Sequence, residues 1–104
     1  MSAPGSFDLI AAADVFNYLG NLAPVFANSY TSLRSGGLFA FSLEAHPDQE
    51  KDFKLDTTGR YLHSTKYIQN LTTQCGFSET QFTPTTLRKQ GGVPVEGYLC
   101  LLKK

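Results

Sequence analysis

The sequence predicts a small α/β domain with a four-stranded mixed sheet, two main helices and a C-terminal antiparallel hairpin. Three observations support this. Two apolar runs, Phe7 to Ala13 and Leu38 to Leu43, flank a stretch with helical spacing from Asn21 to Leu33, which is the pattern of a βαβ unit with parallel strands. A second helical stretch runs from Ser64 to Cys75, and two strand-like segments then meet at Gly91-Gly92. A chain of 104 residues holds one core, so residues 1–104 are expected to form one domain.

The first strand has Phe7 and Leu9 on one face and Ile10 among alanines on the other, as in a strand covered on both sides. Asp14 to Gly20 reads as a loop. In the helix that follows, Leu22, Val25, Phe26, Tyr30 and Leu33 recur at steps of three and four, with Asn21 as N-cap and Pro24 in the first turn. Arg34 suits the negative end of this helix, and Gly36-Gly37 offers the positive φ needed to turn into the second strand. His46 to Thr58 is polar, carries Asp48-Gln49-Glu50-Lys51-Asp52, and is expected as an exposed, lid-length loop with Phe53 and Leu55 as anchors.

Gly59 to His63 leads to the second helix, capped by Ser64, stopped by Gly76, and presenting Tyr67, Ile68, Leu71 and Cys75 on one face. Phe77 to Lys89, with Pro84 and many threonines, fits a sheet edge, whereas Val95 to Leu102 fits a buried central strand. The turn between them is Gly91-Gly92, with room to widen to Gln90 and Val93. The expected strand order is 1-2-4-3, with only the third antiparallel to its neighbours.

The net charge is zero, with nine basic and nine acidic residues interspersed, which argues against a nucleic-acid or anionic-membrane surface. The apolar runs are too short for a membrane span and the first six residues do not read as a signal peptide, so a cytoplasmic protein is expected. Cys75 and Cys100 fit neither a disulfide framework nor a zinc site and read as small buried hydrophobes.

In parallel sheets ligands gather beyond the carboxyl ends of the strands, which directs attention to Asp14 to Tyr18 and to Glu44 to His46. Glu44, His46 and Asp48 lack the fixed spacing of a metal site and read as solvated loop charge. Ser42 with His46 or His63 lacks the Gly-x-Ser-x-Gly elbow of a hydrolase.

The stretches Phe7 to Gly20, Leu33 to Glu44, Gly59 to Ser64 and Gly76-Phe77 together resemble the C-terminal half of a class I S-adenosylmethionine-dependent methyltransferase. The resemblance is to the methyltransferase domains of some tetratricopeptide-repeat proteins, and it covers nearly the whole chain. It implies half of a Rossmann-like methyltransferase fold, in which Asp14, Asn17 and Tyr18 would shape the acceptor site and Arg60 and His63 would contact the acceptor. The plainer alternatives are that Asp14 caps the loop, Tyr18 packs over the strand end, and Arg60 and His63 satisfy backbone groups.

The resemblance also implies that the glycine-rich loop and the acidic residues that hold the cofactor lie in an N-terminal half with no counterpart here. No cofactor is then expected for the isolated chain, and S-adenosylmethionine only if the fold is completed in trans. Partner expectations are a homodimer through the exposed edge of the first strand, or a chain supplying the other half. The function expected is a methyltransferase-like, self-associating or partner-binding module without catalysis of its own, or else a methyltransferase completed in trans by a separate N-terminal half or by dimerisation.

Overall fold

The computed structural model describes residues 5, 7–12, 16–57 and 59–104. Strand β1 (Phe7–Ala12) leads through a 3-10 turn (Phe16–Tyr18) to helix α1 (Ala23–Ser32) and strand β2 (Leu33–Glu44). Strands β3 (Phe53–Leu55) and β4 (Tyr61–His63), helix α2 (Thr65–Cys75), and the long strands β5 (Glu79–Gln90) and β6 (Val93–Lys103) complete the chain. The main sheet has the order β1-β2-β6-β5, as expected, with β1 and β2 parallel.

The expected strand directions need correction. β6 is antiparallel to both β2 and β5, so β5 runs the same way as β2. The crossover through α2 returns the chain to its starting direction, and the tight hairpin then reverses it. Gly91 and Gly92 both take positive φ, 58° and 81°, the backbone that a two-residue hairpin turn requires.

Helix α2 begins and ends as its sequence indicates. Ser64 Oγ accepts from the Tyr67 N–H at 3.1 Å, and Gly76 closes the helix at φ 96°. Helix α1 departs from expectation at both ends. Its N-cap position is Leu22, and the Asn21 carboxamide oxygen instead accepts from the Ala23 N–H at 3.1 Å. At the other end Leu33 is already extended because it pairs with Phe7. Arg34 pairs with Asp8 on the surface. The cation at the helix C-terminus is Lys104, whose Nζ donates to the Tyr30 and Leu33 carbonyls, both at 2.7 Å.

Strand alternation sorts the sheet into two unlike faces. Phe39, Phe41, Leu43, Tyr98, Cys100 and Leu102 are buried together with Leu22, Phe26, Ile68 and Leu71 from the helical side. Phe26 meets the rings of Phe39 and Phe41 at 5.6 and 5.3 Å. The opposite face carries the row Ala11, Ala40, Leu101, Gln81 and the row Ser42, Leu99, Thr83. No described helix covers that face: Leu9 is 56% and Leu99 51% exposed, and a groove of about 420 Å³ runs along it. No described helix is long and apolar enough to cross a membrane.

Candidate functional site

The segment expected as a free loop between His46 and Thr58 contains β3, which pairs antiparallel with β4 in the register Phe53 to His63 and Leu55 to Tyr61. This second small sheet is tied to the carboxyl end of β2 by an Ala45–His63 bridge and by the His46 N–H donating to the His63 carbonyl at 3.0 Å. Tyr98 Oη, reaching from β6, donates to the same carbonyl at 2.5 Å, and its burial pushes the phenol pKa up. The hairpin also closes on the loop after β1. At Gly20 a Cβ would lie 2.6 Å from the Phe53 ring and 2.8 Å from that of Tyr61, so only glycine admits this approach.

His63 is the clasp. It is fully buried, and its Nε2 lies 2.8 Å from the Leu19 carbonyl and 3.2 Å from that of Gly20. Two acceptors at Nε2 place the proton there and leave Nδ1 as a bare lone pair. That atom has no partner among the described residues. Burial holds the His63 pKa below its usual value, against the opposing pull of the two carbonyls, and His46 adds to the lowering. In this geometry the imidazole holds backbone and does not offer a proton to solvent.

Arg60 precedes β4 and reaches back to the end of β2, where its Nε lies 3.3 Å from Glu44 Oε2. The Glu44 side chain is 6% exposed, and His46 is also buried. Both correct the expectation of solvated loop charge at these positions. Asp48 is exposed, as expected. Glu44 borders a groove of about 520 Å³ that also contains Asp56 and Glu96.

The structure therefore brings Arg60 and His63 to the carboxyl end of the sheet, beside the loop that follows β1. Tyr18 stands in that loop and is 66% exposed. Asn17 lies in the 3-10 turn, with its side chain outside the described residues. Asp14 lies wholly outside them. Three contributors at this end were missed in the sequence: the hydroxyl of Tyr98, Glu44 as the partner of Arg60, and Gly20. Glu44 alone had a signal, an acid closing an apolar strand.

No protein-family model matches the sequence, and no curated protein does. Solved structures do share its fold. A SAM-dependent methyltransferase from Methanosarcina mazei superposes with a TM-score of 0.74 at 15% identity, over 98% of this chain and 61% of its own. The 1,6-didemethyltoxoflavin-N1-methyltransferase of Burkholderia thailandensis, with bound 1,6-didemethyltoxoflavin and S-adenosylhomocysteine, gives 0.75 at 12% identity over 100% and 46%. Phosphoethanolamine N-methyltransferase 2 of Haemonchus contortus, in complex with S-adenosyl-L-methionine, gives 0.71 at 14% over 97% and 34%. This chain thus spans less than two thirds of each.

Gly36, Gly91 and Gly92 take positive φ in turns and have open space where a Cβ would stand. Nearly the whole chain carries the fold of class I S-adenosylmethionine-dependent methyltransferases.

Proposed function

We propose that this chain is the acceptor-side half of a methyltransferase-like unit, without catalysis of its own, and that it works by docking onto a polypeptide segment that supplies the cofactor-binding half. The observation that carries this reading is the uncovered sheet face. Ala11, Ala40, Leu99 and Leu101 form an apolar surface of the kind that marks an interaction site. The occupant that suits it is helical, because alanines at its centre permit close approach by a helix. The compared structures extend well beyond the region this chain matches, and two of them hold S-adenosylmethionine or its product. The missing half would reside on the same polypeptide or on another, and with it the unit would become a methyltransferase.

Self-association is the second reading, and one observation favours it: β1 ends the main sheet, so its outer edge has no strand partner among the described residues. Two copies joined edge to edge would extend the sheet yet leave the apolar face open, so the edge accounts for less of the exposed surface.

Light scattering on the 104-residue chain, followed by titration calorimetry with S-adenosylmethionine, tests both. A monomer that binds an apolar dye but not the cofactor supports the open half-unit. A dimer in solution favours the second reading. Stoichiometric cofactor binding by the chain alone would overturn the proposal.

A further inference from the structure

On the side of the small hairpin that faces the loop after β2 lies a groove of about 330 Å³, lined by His46, Asp48, Lys51, Phe53 and Lys54. We propose that it is a binding site for a small ligand carrying a carboxylate or phosphate group on an apolar, ring-sized body. This is independent of how the sheet face is covered.

The Asp48 N–H donates to His46 Nδ1 at 3.1 Å, so the neutral ring carries its proton on Nε2. That Nε2–H is buried and has no hydrogen-bond partner among the described residues. A buried donor left without an acceptor is costly, and an anionic oxygen is the acceptor that would satisfy it best.

Among the residues that line the groove, Lys51 and Lys54 supply two cations against the Asp48 carboxylate, with Glu50 and Asp52 on either side of Lys51 in the chain. One oxygen of that carboxylate is already engaged, accepting from the Glu50 N–H at 2.9 Å. Phe53 adds an aromatic wall, itself held edge-on against Tyr67 at 5.5 Å.

The loop is also built to stay in place. Gln49 Oε1 accepts from Thr65 Oγ1 at 3.0 Å and from the Lys66 N–H at 3.1 Å, which pins the loop to the first turn of α2. The Ser64 N–H donates to the Asp52 carbonyl at 3.0 Å. Such preorganisation lowers the ordering cost of binding, and the volume suits a ligand of one ring.

The test is an NMR titration of the full chain, labelled with nitrogen-15, using benzoate, phenyl phosphate and neutral benzamide as probes. Saturable shifts at His46, Phe53 and the lysines with benzoate or phenyl phosphate, and none with benzamide, are expected. Tighter binding of one anion identifies its group. The surface double variant K51M/K54M is expected to keep the native spectrum and bind the preferred anion about tenfold or more weakly. Unsaturable shifts, equal shifts with benzamide, or unchanged affinity in the double variant would each overturn the proposal.

Discussion

His63 makes a sharp prediction because its burial and its hydrogen bonds oppose each other. In the folded chain Nε2–H is held by the carbonyls of Leu19 and Gly20. A second proton would go to Nδ1, which is buried and without an acceptor among the described residues. The folded pKa is therefore below the ordinary histidine value, whereas the unfolded chain titrates near that value, about 6.5. Below it the unfolded state binds a proton that the folded state refuses, so stability falls as pH falls and is fully present above it. Between about pH 7.5 and 5.5 this one group removes up to about 1.4 kcal/mol, the limit for one proton taken up by the unfolded chain alone. His63→Gln keeps an N–H donor and abolishes the titration. Urea unfolding of both proteins at the two pH values should show the wild type losing more stability on acidification than the variant, and the difference cancels the other titrating groups. Parallel losses would refute the reasoning, and a wild type that gained stability on acidification would show that the two carbonyls outweigh burial.

The Glu44–Arg60 pair is shielded on both sides; Glu44→Ala or Arg60→Ala alone should cost about 3 kcal/mol by leaving one charge without its partner. The double variant should cost clearly less than the sum in a double-mutant cycle of urea midpoints, and additivity would show that the two are uncoupled. Gly20→Ala should cost about 1–3 kcal/mol, because its methyl would meet the rings of Phe53 and Tyr61. Adding Phe53→Leu should recover part of that loss in thermal unfolding; failure of the smaller side chain to help would place the strain elsewhere.

Much of the main sheet was legible because its signals are local. Ser64 and Gly76 bound α2 through chemistry that needs no knowledge of distant residues, and Gly91-Gly92 marks the hairpin for the same reason. Burial of β6 could be read from Tyr98 to Leu102, but its direction could not, since that depends on how many times the chain reverses before reaching it. The β3–β4 sheet was hidden by length: three residues such as Phe53-Lys54-Leu55 carry too little alternation to stand out beside the charge run at 48–52. At the site, the sequence led to Arg60 and His63 by resemblance, yet the burial of Glu44 and His46 depends on the hairpin folding back over them. Lys104 replacing Arg34 at the end of α1 has the same cause, a contact between residues far apart in the chain.

The two faces of the sheet also explain one another. β1 and β2 place apolar residues alternately toward the helices and away from them, with Ile10, Ala12, Phe39 and Phe41 on one side and Leu9, Ala11, Leu38 and Ala40 on the other. A strand that meets water on one face has no need of the second set, and a single-faced antiparallel sheet would carry polar residues there. β5 does so, presenting Gln81 and Thr83 in the same rows. The apolar character fades from β2 and β6 toward β5, and with it the requirement for cover. A segment packed over β1, β2 and β6 would satisfy the pattern while leaving the threonine-rich edge in solvent. Edge-to-edge pairing of two β1 strands would satisfy the unpaired backbone of that strand but none of the side chains at Ala40, Leu99 and Leu101. Of the two proposed readings, the distribution of small and apolar residues across the rows therefore fits docking on the face better than extension of the sheet alone.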